Sequence, residues 1–229
     1  MLFLAKLGKS MKKIIILMGV PGSGKGTQAR LLSRRHNYAH ISTGDLLRGL
    51  DADPNGDPED KKMLADTMKT GKLVPDVLIY KLAFAAIEKA LSNNHGTILD
   101  GAIRNLEQAK KYQEFFEKKN LTNEVMVIEI KLSDETSWNR LTKRKVCPSC
   151  GFILPYSPEN ESKFDCPECG GKLIIRKDDN PETIEQRIAD QGNAAIKPIL
   201  DYYHDLGLLV TIDGEVNIDR VDEEIEKIL

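Results

Sequence analysis

The sequence lacks a long apolar run, and its charges nearly cancel. None of its apolar stretches reaches the roughly 18 residues that a membrane-spanning helix needs. Residues 1–5 are apolar but too short for the core of a signal peptide, and no cleavage pattern follows them. A formal net charge of −2 argues against a general nucleic-acid binder. We therefore expect a soluble, cytoplasmic protein with neither a membrane nor a nucleic-acid partner.

Cysteine is also scarce, and its four copies fall in two tight pairs. Cys147, Cys150, Cys166 and Cys169 form a C-x2-C-x15-C-x2-C pattern. Without a secretion signal, this spacing favours four thiolates around Zn²⁺ over two disulfides, with an iron–sulfur cluster as a further alternative. A closed four-thiolate site has no open position for water, so the zinc is expected to be structural.

The rest of the chain alternates strand-like and helix-like patterns. Strands are predicted at residues 12–18, 96–100, 124–130 and 208–212, and helices at 27–36, 44–50, 60–70, 76–91, 105–119, 134–145, 181–204 and 219–229. Pro198 is expected to kink the 181–204 helix. Residues 147–173 have no helical period and indicate an inserted module. This alternation predicts an α/β fold with a parallel sheet covered by helices on both faces.

A glycine-rich loop follows the first strand and begins a helix. Residues 19–27 read Gly-Val-Pro-Gly-Ser-Gly-Lys-Gly-Thr. The glycines let backbone N–H groups turn toward phosphate oxygens, and the helix N-terminus adds partial positive charge. Lys25 is expected to reach the outer phosphates. The usual pattern has Ser or Thr directly after the lysine, whereas here Gly26 takes that position and the hydroxyl follows at Thr27.

Residues 19–29, which extend this loop through Gln28 and Ala29, resemble the phosphate loop of the adenylate kinase family. The likeness continues over nearly the whole chain from Met11 onward. It implies a P-loop NTPase-type parallel sheet, a helical lobe that binds the nucleoside monophosphate (NMP), and a zinc-bearing lid as in the long bacterial members. The implied boundaries are a tail at 1–11, a core at 12–41, 74–142 and 178–229, the NMP lobe at 42–73 and the lid at 143–177.

The resemblance also implies a reaction and a set of roles. The reaction is reversible, Mg²⁺-dependent phosphoryl transfer from ATP to AMP by a monomer, giving two ADP, with the lobe and lid closing to exclude water. ATP-binding roles fall on Gly22, Ser23, Gly24, Lys25, Gly26, Thr27, Arg140, Arg144 and Val216. AMP-binding roles fall on Thr43, Arg48, Lys72, Val74, Gly101, Arg104, Gln108, Arg176 and Arg187. Thr27 and Asp100 are the implied Mg²⁺-associated residues, and the implied catalytic set is Lys25, Arg104, Arg140, Arg144, Arg176 and Arg187.

Arginine suits these roles because its planar guanidinium donates two hydrogen bonds to a phosphate and stays charged. Arg140 and Arg144 are four residues apart in a predicted helix, so we expect them to share one face. Gln108 is the implied reader of adenine, since an amide pairs with an adjacent donor and acceptor of that base.

One departure from the family pattern leaves the acceptor open. Residues 100–104 read Asp-Gly-Ala-Ile-Arg, where the family usually has Asp-Gly-Phe-Pro-Arg. This change removes an aromatic wall and a fixed backbone angle, so CMP, UMP or GMP is an alternative acceptor. From a different class, a zinc-ribbon nucleic-acid-binding protein would also suit the cysteine module, although the near-neutral charge and the arginine set argue against it.

Overall fold

A five-stranded sheet with parallel pairing between all neighbouring strands forms the centre of the molecule. The computed structural model describes residues 11–70, 74–154, 156, 158–175 and 180–229. In chain order the strands are β1 (Ile14–Met18), β2 (Tyr38–Ser42), β3 (Gly96–Asp100), β4 (Val125–Lys131), β5 (Lys145–Val146), β6 (Ile153–Leu154), β7 (Ile174–Ile175) and β8 (Leu209–Asp213). The central sheet has the order β2-β3-β1-β4-β8, and β6-β5-β7 form a small antiparallel sheet.

Helices cover both faces of the central sheet. They are α1 (Lys25–His36), α2 (Thr43–Ala52), α3 (Pro58–Thr70), α4 (Asp76–Ser92), α5 (Leu106–Lys118), α6 (Asp134–Lys143), α7 (Pro181–Gln191), α8 (Asn193–Asp205) and α9 (Ile218–Ile228). Alternate β1 residues pack to opposite sides: Ile14 and Ile16 join a cluster with α4, α5 and α8, while Ile15 and Leu17 join one with α1 and α9. The uninterrupted apolar run of β1 follows from this two-sided burial, which confirms the predicted fold class.

Strand β2 was not predicted from the sequence. It lies at one edge of the sheet and pairs only with β3 among the described strands. Of its five residues, only Tyr38 and Ile41 are buried. An edge strand that is covered incompletely needs no continuous apolar run, so its sequence carries a weak strand signal.

The predicted 181–204 helix is divided in two at Gly192, where the sequence predicted one continuous helix. Gly192 has extended backbone angles (φ −76°, ψ −175°), whereas Pro198 lies within α8. Asp134 Oδ1 accepts hydrogen bonds from the backbone and side-chain nitrogens of Asn193, at 3.1 and 2.8 Å. The prediction was wrong because this contact with α6 starts a new helix, and the proline does not determine the interruption.

Helix α6 also ends earlier than predicted. Its last residue is Lys143, and Arg144 is already extended (φ −70°, ψ 145°). Lys145 then pairs with Leu154 and Ile175 in the small antiparallel sheet. Because that sheet uses the backbone of this segment, Arg140 and Arg144 do not share one helical face, contrary to the expectation.

The described part of the predicted NMP lobe packs on α4. Leu50, Leu64 and Leu78 form an apolar cluster that joins α2, α3 and α4. Lys81 of α4 forms ion pairs with Asp57 and Asp60 at 2.9 and 2.8 Å.

Within the described residues, no helix is both long and apolar enough to cross a membrane. Residues 1–10 of the predicted tail lie outside the described residues.

Candidate active site

The glycine-rich loop has the backbone that its composition predicts. Gly24 caps the N-terminus of α1 in the left-handed region, with φ 101°. Gly19 has φ 140°, and a Cβ there would lie 2.5 Å from the carbonyl oxygen of Ile130. Only glycine tolerates both the angle and the close approach of β4, so the loop lies directly against the sheet.

Lys25 lies across this loop. Its Nζ donates to the carbonyls of Gly19 and Val20 at 2.6 and 2.9 Å, and reaches Ser23 Oγ at 3.4 Å. Burial lowers the pKa of Lys25 to about 8; Asp100 opposes this shift, and Arg187, Arg104 and Arg144 add to it. The ammonium group is therefore held among other cations, where a polyphosphate would supply the missing negative charge.

Asp100 ends β3 beside the loop. Its Oδ2 lies 3.3 Å from His40 Nε2. Burial alone would raise the pKa of Asp100, but the hydrogen bond with His40 and the charge of Lys25 hold it below its ordinary value. A Cβ on Gly26 would lie 3.1 Å from Asp100 Oδ2, so glycine at this position lets the carboxylate approach the loop. This contact gives a physical reason for glycine, rather than Ser or Thr, directly after Lys25.

The predicted arginines meet around one cavity of about 1010 Å³. The cavity is lined by all six predicted loop residues of the ATP set, by Asp100, Gly101 and Val216, and by Arg30, Arg48, Arg104, Arg140, Arg144 and Arg187. Arg176 and Lys72, which were also predicted, lie outside the described residues. The fold therefore brings Lys25 and five of the predicted guanidiniums to one cavity, although these residues are far apart in the sequence.

The lining arginines differ in their surroundings. Burial lowers the pKa of Arg104, and the Asp100 carboxylate opposes that shift. Arg140 donates to the carbonyl of Gly214 at 2.9 Å. Arg48 pairs with Asp45 at 2.5 Å, and both side chains are 64% exposed, so this guanidinium is at the open rim of the cavity.

Arg30 and His40 were given no role from the sequence. Arg30 is four residues after Gly26 on α1, a spacing that puts it on the same side of the helix. Burial lowers its pKa and Asp100 raises it, which indicates that it faces the same carboxylate. The spacing from the loop could have identified Arg30, whereas His40 depends on β2 lying beside β3.

Three predicted AMP-binding residues, Thr43, Val74 and Gln108, are not among the described residues that line this cavity. Thr43 Oγ1 donates to the carbonyl of Gly101 at 3.1 Å. The side chain of Gln108 accepts a hydrogen bond from the backbone of Arg104 at 2.6 Å. Both are therefore one hydrogen bond away from a lining residue, while Val74 packs in the apolar cluster of the lobe.

The four cysteines converge at one point of the small antiparallel sheet. Their Sγ atoms all lie within 4.8 Å of one another, with Cys147 to Cys169 at 3.5 Å and Cys150 to Cys166 at 3.6 Å. All four are free thiols, so the disulfide alternative fails. Zinc with bonds of about 2.3 Å to four sulfurs requires sulfur–sulfur edges of about 3.8 Å, which these distances approach. Burial opposes ionisation of Cys147, but the backbone N–H groups of Cys150 and Ser149 lower its pKa to about 6.

This cysteine module faces the phosphate loop. Val146, Cys147, Ile153 and Tyr156 line the same cavity as Lys25. Glu168, within the second cysteine pair, lies 3.7 Å from Arg34 of α1. The module therefore borders the same cavity as the loop and also contacts α1.

Comparisons with known proteins identify the family of this chain. A family model described as adenylate kinase matches residues 17–208. The chain is 37% identical over 219 residues to an adenylate kinase of Caldanaerobacter subterraneus subsp. tengcongensis, covering 94% of this chain and 95% of the relative. It is 38% identical over 218 residues to one of Haloarcula marismortui, with 93% and 94% covered. It is 40% identical over 220 residues to one of Chloroherpeton thalassium, with 94% and 97% covered. Since the family model spans most of the chain and the relatives align nearly end to end, the chain belongs to the adenylate kinase family of nucleoside monophosphate kinases.

Proposed function

We propose that this cavity binds ATP and AMP together and transfers a phosphoryl group between them reversibly, giving two ADP. The observation that carries this proposal is the convergence of Lys25 and five guanidiniums on one cavity of about 1010 Å³. Phosphoryl transfer requires two nucleotides held in line and their charge neutralised, with little covalent chemistry from the protein. The cavity is at the upper end of the roughly 300–1,000 Å³ range for small-molecule sites, which suits two nucleotides.

The ATP side is built on the phosphate loop. Backbone N–H groups of residues 22–27 receive the phosphates, and Lys25 exchanges its carbonyl partners at Gly19 and Val20 for phosphate oxygens. Arg140 and Arg144 clamp the polyphosphate from the lid side, and Val216 contributes to the nucleotide-binding wall.

The donor set near the loop also fits Mg²⁺. The ionised carboxylate of Asp100 lies against Gly26, and Asp100 and Thr27 line the same cavity; magnesium prefers such oxygen ligands together with waters and phosphates. Thr27 and Asp100 would hold the ion with its water shell, and the ion would neutralise phosphate charge during transfer.

The AMP side is built on the opposite wall. Arg48 and Arg104 grip the AMP phosphate, and Arg187 and Arg176 neutralise the group in transfer. Gln108 reads the adenine base, while Thr43, Lys72 and Val74 line the base and ribose. Ala102 and Ile103, the departure from the family pattern, are each 4% exposed and pack in the core cluster. Neither side chain is among the described residues that line the cavity, so this departure gives no reason to prefer another acceptor.

Two mobile parts surround the core in this proposal. Residues 42–73 form the NMP lobe and residues 143–177 the lid, on a core of 12–41, 74–142 and 178–229. Closing both lobes in a monomer excludes water that would compete with AMP for the phosphoryl group. A structural Zn²⁺ on the four cysteines gives the lid its rigidity, since the described lid has only a small apolar cluster around Leu154 and Leu173.

Lys25→Met tests the phosphate-loop assignment. We expect turnover with ATP and AMP to fall by about a thousandfold or more, because a charge that neutralises the transferring group is lost. The circular dichroism spectrum should stay unchanged. Lys89→Met, which removes an exposed lysine from α4, is the matched control and should keep full turnover. Near-normal turnover of Lys25→Met would refute the assignment.

A coupled assay with ATP and each of AMP, CMP, UMP and GMP tests the acceptor. We expect AMP to have the highest kcat/KM. A clear preference for a pyrimidine monophosphate would overturn the adenine assignment and leave the phosphoryl transfer itself intact.

A further inference from the structure

The side-chain amide of Gln108 is held by two hydrogen-bond partners, one a donor and the other an acceptor. Its Oε1 accepts from the backbone N–H of Arg104 at 2.6 Å, and its Nε2 donates to Asp76 Oδ1 at 2.7 Å. Gln108 is only 6% exposed. The bond to Asp76 joins the first turn of α5 to the first residue of α4, and the bond to Arg104 joins it to the segment just before α5, so the amide is fixed on both sides.

These partners determine which way the amide points. A backbone N–H can only donate and a carboxylate can only accept, so the atom facing Arg104 must be oxygen and the atom facing Asp76 must be nitrogen. A flip by 180° would place N–H against N–H and oxygen against oxygen. It would lose both bonds inside a buried site, which makes the flipped orientation costly.

The remaining hydrogen-bonding capacity of the amide forms a defined edge. An amide has two acceptor lone pairs and two N–H donors, and the contacts above use one of each. One lone pair on Oε1 and one N–H on Nε2 remain, and no further hydrogen bond to this amide is found in the part of the chain that the structure describes. Adenine presents an N6 donor beside the N1 acceptor, which matches this edge. A 6-oxopurine presents an O6 acceptor beside an N1–H donor, which is the reverse.

We propose that Asp76 is a specificity-positioning residue: it fixes the Gln108 amide in the orientation that accepts adenine and rejects 6-oxopurines. This inference rests on the proposed reading of the acceptor base by Gln108. Asp76 is itself well placed, because it is the first residue of α4 and is partly buried. Burial raises the pKa of Tyr80, and the neighbouring Asp76 carboxylate adds to the shift, so the tyrosine hydroxyl is close to the same group.

The experiment measures kcat and KM with AMP and with inosine monophosphate at saturating ATP. Inosine monophosphate reverses the donor and acceptor without adding the 2-amino group of guanine, so it isolates the hydrogen-bond pattern. For Asp76→Ala we expect the KM for AMP to rise about tenfold, with kcat within about twofold of the parent. The AMP preference, as the ratio of kcat/KM values, should fall about tenfold to a hundredfold, the range for a hydrogen bond to a charged group.

Conservative variants separate this role from a structural one. Asp76→Asn removes the charge from the start of α4 but keeps an acceptor oxygen, so it should retain the AMP preference within about threefold. Asp76→Ser suits a helix start but does not reach the amide, and it should reproduce Asp76→Ala if the alanine variant folds poorly. Glu107→Ala removes a neighbouring carboxylate that pairs with Lys110, and it should leave the ratio unchanged.

Gln108→Ala distinguishes failure of this inference from failure of the proposed function. If Gln108→Ala lowers the AMP preference and neither Asp76→Ala nor Asp76→Ser does, the positioning role is overturned while base reading stands. If Gln108→Ala leaves the preference unchanged, the base-reading assignment fails and this inference falls with it. In the Gln108→Ala background, Asp76→Ala should have no further effect on the ratio. An additional loss there would show that Asp76 acts by another route and would overturn the inference.

Discussion

Replacing Lys25 with methionine is expected to stabilise the ligand-free protein while it abolishes turnover. Burial lowers the pKa of Lys25 from its ordinary value of 10.5 to about 8. This difference corresponds to about 3 kcal/mol of unfavourable free energy for the charged form in the folded state. The side chain retains partial exposure, so solvent screening reduces the expected gain to about 2 kcal/mol.

The pH dependence of this gain has a definite sign. Below pH 8 the lysine is charged in both the folded and the unfolded state, and the folded state bears the full penalty. Between pH 8 and 10.5 the folded state releases the proton first, so the penalty fades as the pH rises. The advantage of the Lys25→Met variant should therefore be complete at pH 7, fall to about half at pH 9.5, and vanish above about pH 10.5.

Urea unfolding at pH 7 and pH 9.5, followed by circular dichroism without nucleotide and with zinc in excess, measures this effect. The exposed-site control Lys89→Met should change the free energy of unfolding by less than about 0.5 kcal/mol at either pH. A Lys25→Met variant that is no more stable than the parent at pH 7 would refute the reasoning. A stability advantage of the variant that is as large at pH 9.5 as at pH 7 would also refute it. The expected result would show that the loop bears an unfavourable charge which a bound polyphosphate relieves.

Two further predictions concern the lid and the phosphate loop. Metal analysis should find one zinc per chain, and a Cys166→Ser variant should lose it. Chelation should lower the melting temperature of the parent protein, and a melting curve unchanged by chelation would contradict a structural metal. Gly24→Ala should cost about 1–2 kcal/mol of stability, because the added Cβ meets only the strain of a positive φ (101°). Gly19→Ala should cost more than about 3 kcal/mol, because its Cβ would also meet the Ile130 carbonyl; equal losses in urea unfolding would show that this contact is unimportant.

The sequence predicted the parts of the fold that depend on local patterns. Strands β1 and β4 were recognised because a strand buried on both faces needs an uninterrupted apolar run. Edge strand β8 was recognised from its apolar residues, whereas edge strand β2 has only two buried residues and was missed. The break at Gly192 was not predicted, because it coincides with the contact between Asn193 and Asp134, which are 59 positions apart.

In the candidate site too, the sequence predicted the features that depend on local patterns and missed those that depend on packing. The phosphate loop was predicted in detail because its conformation depends on glycines within one short segment. The helix assigned to both Arg140 and Arg144 was wrong at its end, because lid pairing extends the chain at Arg144. Arg30 was overlooked although its spacing from the loop was available in the sequence. His40 was overlooked because its approach to Asp100 depends on β2 lying beside β3, which leaves no local pattern.

By itself, the sequence determined the chemical groups that this protein has available: a glycine-rich turn with a lysine, a set of guanidiniums and four cysteines at metal-binding spacing. These depend on residue type and short spacing, which a linear chain displays directly. Only the tertiary structure decided which of these groups line one cavity. It also decided that Gly26 makes room for the Asp100 carboxylate and that Asp76 accepts a hydrogen bond from the amide of Gln108. Each of those outcomes depends on distances between segments that the parallel sheet brings together.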